Sequence, residues 1–222
     1  MKILFENTQM VVVEKDQNMP VQRDRHSHTS LTEEVKDYYE FAKGIENPYV
    51  ALVHRLDRHT GGVVVFARTP RAARTLSALF AEHTVEKFYT ALVLGPVKPE
   101  KGSLLHHLKS DADENFTTIC DASDPEAKQA KLSYEVVKTY DTALGLVCQL
   151  NIQLFTGRQH QIRAQLAHIG HPILGDEKYG STIPNAKTTS MALWSNELRF
   201  KAFGKSYKFT SSPPEKGLWA LK

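Results

Sequence analysis

A single aspartate on a short polar link between two apolar runs is the best candidate for a reactive group in this chain. Asp57 lies in residues 48–67, which read PYVALVHRLDRHTGGVVVFA. The β-branched runs at 49–53 and 63–67 predict strands on either side of it. Because a carboxylate that performs chemistry must be held by a rigid scaffold, this arrangement favours Asp57 as the catalytic group.

The residues around Asp57 favour its ionised form. Nearby positive charge stabilises a carboxylate, and protonatable side chains both precede and follow this one. They belong to His54, Arg55, Arg58 and His59. Gly61 and Gly62 come next, and such glycines permit backbone angles closed to other residues and the close approach of a ligand.

A tyrosine and a lysine lie near the start of a further predicted strand. Residues 86–96 read EKFYTALVLGP, an almost continuous apolar run closed by glycine and proline, which predicts a mostly buried strand. Tyr89 lies near one end of it, and Lys87 precedes it by two residues. Taken alone, this tyrosine belongs to a core and this lysine is a surface charge at a strand end.

A helix that carries basic residues is predicted in the segment 154–180, LFTGRQHQIRAQLAHIGHPILGDEKYG. It begins at Arg158 and stops at Gly170, before a proline. Arg158 and His160 then fall in its first turn, where exposed amides and the helix dipole favour an anion such as phosphate. His160 could equally help to start the helix. Asp176 is assigned to the turn after the glycine at position 175.

Arg163 is predicted to lie one turn further into the same helix. An unpaired arginine on a helix with an apolar face is costly, so it needs a carboxylate or phosphate partner. We predict that the partner is Asp57, because a fixed guanidinium would keep that carboxylate ionised and aim it.

The elements that position these residues follow from local patterns. Three antiparallel strand pairs are expected, namely 3–5 with 10–14, 131–140 with 144–155, and 191–200 with 205–210. Two helices should begin at the caps Ser30 and Thr69. Residues 16–29 and the acidic stretch 101–129 are expected to be irregular, the latter as turns and short hairpins of low order.

Composition is that of an ordinary globular protein. With 222 residues, 41% hydrophobic and 24% charged, the chain can bury a core without staples, and we predict a single domain over residues 1–222. Cys120 and Cys148 are too few for a disulfide framework or a metal cluster. No signal peptide or membrane-length apolar run is present, so we expect a cytoplasmic protein, and a monomer.

The net charge of +3 is small, but its distribution is informative. Between positions 54 and 89, six Arg or Lys residues face three acidic ones, whereas between 109 and 127 one lysine faces six acidic residues. Positive charge therefore gathers around Asp57. The simpler interpretation for any single arginine of the segment 68–74 is a solvated helix face.

Three segments, in this order and at these distances, resemble the catalytic, tyrosine and arginine motifs of the RluA-type RNA pseudouridine synthases. They are VHRLDRHTGGVVVFA, EKFYTALVLG and TGRQHQIRAQLAHIGHPILGDEKYG. The opening ILFENTQMVVVEK and the last hairpin are also similar, so the likeness covers almost the whole chain. It implies an α+β catalytic domain with a curved, mainly antiparallel sheet and flanking helices. It also implies isomerisation of uridine to pseudouridine in ribosomal or transfer RNA, in a basic cleft, without metal or organic cofactor.

The resemblance also implies roles for single residues. Asp57 matches the catalytic aspartate, Tyr89 the active-site aromatic and Arg163 the partner of the aspartate. Arg55 matches a position that in some members enters the nucleic acid beside the flipped base. The other basic residues that we assign to RNA binding are Arg58, Arg158, His160 and Lys87.

The chain departs from the family pattern at four positions. Gly61 stands where serine is usual, Gln165 stands where histidine is common, and Asn18 and Met19 replace a stretch that usually contains proline. None of these changes removes a proposed catalytic group. We also expect no small N-terminal RNA-binding domain of the kind that many relatives have.

Three other functions are compatible with parts of the sequence. His54, Asp57 and His59 have a spacing that could bind a metal, as in a metal-dependent hydrolase, although an extended backbone would point the first two in opposite directions. A glycosidase would usually need a second catalytic carboxylate, and none stands out. A non-catalytic RNA-binding protein or RNA chaperone would use the same cleft without turnover.

Overall fold

The computed structural model describes residues 1–23, 27–180 and 190–221. The chain forms two compact units, one of Met1–Glu86 with Ser195–Pro213 and the other of Lys87–Trp194 with Pro214–Lys222. The predicted α+β class is confirmed, since strands predominate and the helices are short. The prediction of one domain over residues 1–222 stays a prediction.

The first unit is built on an N-terminal hairpin and a buried strand. Its strands are β1 (Lys2–Glu6), β2 (Met10–Lys15), β3 (Ala51–Leu52), β4 (Gly61–Ala67), β10 (Leu193–Ala202) and β11 (Lys205–Thr210). They are ordered β1-β2-β4-β10, with β3 also paired to β4 and β11 to β10. Both predicted hairpins of this unit are confirmed. The strand predicted at 49–53 is reduced to the two residues of β3.

Both helices of the first unit begin at the caps that the sequence predicts. Ser30 accepts the backbone N–H of Glu33 at the start of α1 (Leu31–Asp37), which continues as a π-helical turn, Tyr38–Ala42. Thr69 accepts the backbone N–H of Ala72 at the start of α2 (Pro70–Ala81). These bonds satisfy amides that a helix start leaves without internal partners.

Helix α2 covers one face of this sheet. The buried side chains in that core come from α2, from four strands and from the segment after α2: Met10, Val12, Val63, Val65, Ala67, Ala72, Leu76, Val85, Leu198, Phe200, Ala202 and Phe209. Alternate residues of β4 supply it, while all of β4 is buried. Because β4 is enclosed on both faces, the segment that leads into it has a rigid support.

Gly62 is required by the sheet itself. Its φ is +113°, and a Cβ at this position would lie 2.1 Å from the carbonyl oxygen of Ser195. The close approach that the sequence predicts at this glycine is therefore made by the backbone of β10.

The second unit is a five-stranded antiparallel array. Its strands are β5 (Glu86–Leu94), β6 (Lys101–Asp111), β7 (Phe116–Cys120), β8 (Lys128–Thr142) and β9 (Gly145–Leu154). They are ordered β5-β9-β8-β6-β7. The predicted β8–β9 pair is confirmed. The short hairpin expected in residues 101–129 is confirmed by β6 and β7, but the expected low order is wrong, because residues 101–108 of β6 also pair with β8.

The basic helix of this unit starts later than predicted. Helix α3 spans Gln161–His168, and His160 precedes it in the left-handed region, with φ 48°. Arg158 and His160 therefore lie before the helix, and Arg163 lies in its first turn. Helix α3 packs through Ala164 on Leu108 of β6 and Ala130 of β8.

Short turns of 3-10 helix at Glu177–Tyr179 and Gly217–Trp219 complete the described elements. None of the helices in the described ranges is long and apolar enough to cross a membrane.

Candidate active site

Asp57 lies on a tight turn between β3 and β4. Its carbonyl oxygen accepts the backbone N–H of Thr60 at 3.1 Å. Leu56 and Thr60, on either side of the turn, are buried, while Asp57 itself is half-buried. The carboxylate is thus carried by a turn that is anchored at both ends, as its predicted role requires.

Lys15, the last residue of β2, holds this turn. Its ammonium donates to the carbonyl oxygens of Asp16 at 2.9 Å, Met19 at 2.6 Å and Arg58 at 2.9 Å. Lys15 is fully buried, and this burial lowers its pKa to about 7, against the opposing effect of the Asp57 and Asp16 charges. In its charged form Lys15 has three N–H donors, and the three carbonyls use all of them. Lys15 therefore ties the backbone of the Asp57 turn to the end of β2.

The segment after β2 adds two further bonds to the same turn. Gln17 donates from Nε2 to the carbonyl oxygen of His59 at 2.9 Å, and Nδ1 of His59 lies 2.8 Å from Oδ1 of Asn18. Arg58, assigned to RNA binding, donates through Nη2 to the hydroxyl of Ser27. Asn18 and Met19, which depart from the family pattern, thus both contribute to the support of the turn.

The two histidines of the possible metal motif have protein partners. Nε2 of His54 accepts the backbone N–H of Val65 at 3.0 Å, and its ring stacks on Phe80 with centroids 4.2 Å apart. His59 bonds Asn18, as above. Within the described ranges, no group of three or more His, Cys, Asp or Glu side chains is arranged to hold a metal ion. These contacts support a structural role for both histidines.

Arg163 has a buried carboxylate partner. The sequence predicts a partner of this chemical type, although it points to a different residue. Its Nε and Nη2 donate to Oδ2 and Oδ1 of Asp176 at 2.7 and 2.8 Å. Asp176 therefore does more than shape the turn to which the sequence assigns it. The pairing of Arg163 with Asp57 stays a prediction, since Asp57 belongs to the first unit and Arg163 to the second.

Tyr179 connects Arg163 to the residue before α3. Its ring centroid lies 4.9 Å from Cζ of Arg163, and its hydroxyl lies 3.0 Å from Nδ1 of His160. The same hydroxyl accepts the backbone N–H of Thr117 at 2.8 Å. Burial raises the pKa of Tyr179. His160, assigned to RNA binding, is itself buried. The contact with Tyr179 favours the simpler of its two interpretations, a structural role at the helix start.

Lys87 and Tyr89 share the buried face of β5. They are two residues apart on one strand, and residues at that spacing project to the same side. The two residues are 6% and 7% exposed. The interpretation of Lys87 as a surface charge is therefore wrong, and Tyr89 has the burial expected of either a core or an active-site residue.

The remaining basic residues differ in exposure. Arg55 is exposed on the link before Asp57. Arg158 is half-buried and donates from Nε to the carbonyl oxygen of Gln129 at 3.1 Å. Its charge is close enough to Lys87 to lower the pKa of that lysine, in addition to the larger effect of burial. The structure thus brings Lys87 and Arg158 together.

Two residues on which the site depends, Lys15 and Asp176, are not among the site residues that the sequence predicts. The sequence does contain an indication that Lys15 is buried. Side chains alternate between the two faces of a strand, so Lys15 lies on the same face as Val11 and Val13 in an apolar strand. A lysine at such a position must be buried and needs acceptors. Asp176 carried no comparable signal, because nothing in its local sequence indicates that the carboxylate is buried.

Comparison with known proteins identifies one family. The family model described as RNA pseudouridylate synthase matches residues 9–168. The tRNA pseudouridine synthase C of Vibrio cholerae is 31% identical over 216 residues, with 90% of this chain and 85% of that protein covered. The dual-specificity RNA pseudouridine synthase RluA of Escherichia coli is 30% identical over 219 residues, with 93% and 90% covered.

A solved structure has the same fold. The human protein titled RNA Pseudouridylate Synthase Domain Containing 1 superposes with a TM-score of 0.79, over 96% of this chain and 83% of that one, at 22% sequence identity. At this level of identity the likeness concerns the fold alone.

Proposed function

Because the chain belongs to the RNA pseudouridylate synthase family, whose members are isomerases, we propose that it converts particular uridines of ribosomal or transfer RNA to pseudouridine, with Asp57 as the catalytic carboxylate. The observation that carries the proposal is the support of the Asp57 turn. Lys15 binds the turn through the carbonyl oxygen of Arg58, and the matched residues 9–168 include both Lys15 and Asp57.

The proposed reaction needs little from the protein besides a carboxylate and a closed site. The bond from N1 of uracil to C1′ of the ribose breaks, the base turns while it stays bound, and C5 bonds to C1′. A proton then leaves C5 and one is gained at N1, so the product is an isomer and no water is consumed. Asp57 could attack C1′, take a proton from the sugar, or stabilise positive charge at C1′.

Tyr89 and Arg163 have supporting roles in this proposal. Tyr89 would stack on the displaced uracil, with its hydroxyl near C5 for the late proton transfer. Arg163 would pair with Asp57 and keep it ionised. Support for an oriented Arg163 comes from Asp176, which fixes two of its nitrogens.

The RNA must present an accessible uridine. A base inside a stem has to be flipped out, at a cost of roughly a few kcal/mol, and we propose that exposed Arg55 and the neighbouring basic residues offset this cost. Uridines in loops and bulges are cheaper targets. The name of the Vibrio cholerae relative, tRNA pseudouridine synthase C, gives transfer RNA as its substrate. Transfer RNA is therefore the first substrate to test. We further propose that the protein acts as a cytoplasmic monomer without a cofactor.

The test is tritium release from RNA labelled at C5 of uridine. Unmodified transfer and ribosomal transcripts are incubated with wild type or Asp57→Asn, without added metal. C5 loses its hydrogen only when it bonds to C1′, so wild type should release tritium and Asp57→Asn should lose activity by roughly a thousandfold or more while RNA affinity stays within a small factor. A variant that lost its fold instead would remove Asp57 from the catalytic role.

The same experiment decides the alternative of a non-catalytic RNA-binding protein. That alternative expects wild type to bind the transcripts and release no tritium from any of them. Equal release by Asp57→Asn and wild type would keep the isomerase but assign its carboxylate elsewhere.

A further inference from the structure

Lys87 is a charged group that the fold buries. The residue is 6% exposed. Among the residues that the structure describes, nothing forms a hydrogen bond or an ion pair with its ammonium. Lys15 differs from Lys87 in this respect, because it is also buried but donates to three carbonyl oxygens. A buried ammonium without acceptors is costly, so its retention calls for a reason outside the folding of the chain.

The neighbour of Lys87 makes the arrangement more costly. Arg158 places a second positive charge near the ammonium, and this charge adds to the effect of burial in lowering the pKa of Lys87. Nε of Arg158 donates to the carbonyl oxygen of Gln129, while its two terminal nitrogens have no partner within the described ranges. Two cations held together at a half-buried site form a strong attractor for an anion.

The site is open on one side. Gly157, which precedes Arg158, is exposed. A Cβ built on it would meet the Lys87 ammonium at 3.8 Å and no other described atom within 4 Å. The φ of Gly157 is not positive, so a left-handed backbone does not explain the glycine. The missing side chain leaves space beside the ammonium instead.

The register of β5 relates this space to the proposed base site. Lys87 and Tyr89 lie on one face of the strand, roughly 7 Å apart along it. The ribose of a nucleotide spans a distance of this order between its base and its phosphate. Lysine binds phosphate as a compact point charge, and arginine adds donors in a planar fork.

We propose that Lys87, Arg158 and the space left by Gly157 form a subsite for one backbone phosphate of the RNA, next to the nucleotide whose base stacks on Tyr89. The choice of the nucleotide next to Tyr89 rests on the proposed function. The paired cations favour a phosphate group whatever the reaction. The subsite holds the substrate and takes no part in bond breaking.

The first test uses the protein without RNA. Lys87→Met keeps the shape of the side chain and removes its charge, so it should raise Tm by a few degrees, because the folded state no longer buries this cation. Millimolar inorganic phosphate, compared with chloride at equal ionic strength, should raise the Tm of wild type and leave that of Lys87→Met unchanged. Lys205→Met removes one charge at the exposed first residue of β11, and this control variant should behave as wild type.

The second test uses unmodified transfer RNA transcripts. Lys87→Met should bind them about tenfold more weakly and lower the slope of log affinity against log salt by about 0.7, the value for one contact to single-stranded phosphate. Gly157→Ala should keep the stability of wild type and lose part of the phosphate effect, since its methyl group occupies the proposed space. Lys205→Met should change neither affinity nor slope by a comparable amount.

The outcomes separate this proposal from the proposed function. A Lys87→Met variant that is less stable than wild type and binds RNA equally well would overturn the subsite, even if wild type releases tritium. Loss of the phosphate effect in Lys87→Met, with no tritium release by wild type, would support the subsite and reject the isomerase. Equal responses to phosphate in wild type, Lys87→Met and Gly157→Ala would also overturn the subsite.

Discussion

Arg163 and Asp176 form a buried ion pair with two parallel hydrogen bonds, Nε to Oδ2 at 2.7 Å and Nη2 to Oδ1 at 2.8 Å. Their side chains are 6% and 1% exposed. Because two nitrogens are engaged by the two oxygens of one carboxylate, the plane and direction of the guanidinium are set by Asp176. Whatever Arg163 does in the reaction, it does in an orientation that Asp176 determines.

Asp176→Asn should therefore be strongly destabilising. The substitution leaves the Arg163 charge buried beside a neutral amide, and breaking a buried pair in this way costs about 3–5 kcal/mol. Urea denaturation of wild type and variant would measure the loss. Asp113→Asn, on the exposed turn after β6, is the control and should stay within about 0.5 kcal/mol of wild type. A loss below about 1 kcal/mol for Asp176→Asn would contradict the importance of the pair.

Arg163→Met should cripple turnover through Asp57 rather than through RNA binding. In the double variant Arg163→Met/Asp176→Leu, no buried charge is left unpaired, so much of the stability lost in either single variant should return. Turnover should not return with it. Tritium release at saturating RNA, measured beside unfolding free energy, separates the two effects. An Arg163→Met variant with the rate of wild type would show that the predicted pairing with Asp57 is wrong.

Lys15→Met should loosen the Asp57 turn. The carbonyl oxygens of Met19 and Arg58 lose their donor, and kcat should fall by about tenfold or more while RNA affinity changes little. Hydrogen exchange at the Thr60 amide, which bonds Asp57, should become faster in the variant. Lys36→Met, on the exposed side of α1, should leave kcat and exchange unchanged. Unaltered exchange at Thr60 in Lys15→Met would refute the positioning role.

The stability of the fold should depend on pH through Lys15. Burial lowers its pKa from 10.5 to about 7, so between these values the unfolded chain binds a proton that the folded chain does not. Stability must then rise with pH across this window, by up to about 1.4 kcal/mol per pH unit. Denaturation at several pH values from 7 to 10 should find this rise in wild type and a smaller one in Lys15→Met. Parallel pH profiles for the two proteins would contradict the shifted pKa.

Gly62→Ala should be among the most damaging small substitutions in the chain. Its Cβ would lie 2.1 Å from the carbonyl oxygen of Ser195, and φ is +113°. We expect a loss above about 4 kcal/mol or failure to fold, since backbone strain and a clash with β10 combine. Gly145→Ala is the matched control, because its φ is +88° and no atom lies within 4 Å of the added Cβ. Its cost should stay near 1 kcal/mol in the same denaturation experiment.

Local signals predicted much of the secondary structure. The caps Ser30 and Thr69 bond the amides that the sequence assigns to them, because capping involves residues only three apart. The hairpins β1–β2, β8–β9 and β10–β11 follow from apolar alternation near turn residues. Such elements depend on interactions between residues close together in the sequence, so they can be predicted from the sequence alone.

The errors lie at β6, where a distant partner decides the structure, and at the start of α3, where the backbone takes a conformation that the sequence pattern does not indicate. The strand β6 is polar and half-exposed along most of its length, so its sequence lacks a strong strand pattern, and its pairing with β8 supplies the order. The start of α3 is displaced because His160 takes a left-handed conformation. In addition, Gln161 accepts the backbone N–H of Arg158. The pattern of apolar and capping residues predicts neither the left-handed conformation of His160 nor this hydrogen bond.

The sequence by itself determined the family, the class of fold and the kinds of group available for chemistry, because these depend on motifs and on periodic patterns of apolar residues. Tertiary structure decided which groups are partners. Lys15 reaches Arg58 across 43 residues, and Arg163 meets Asp176 across 13. Burial of charge is what discriminates among such choices, and burial arises only when the strands and helices pack.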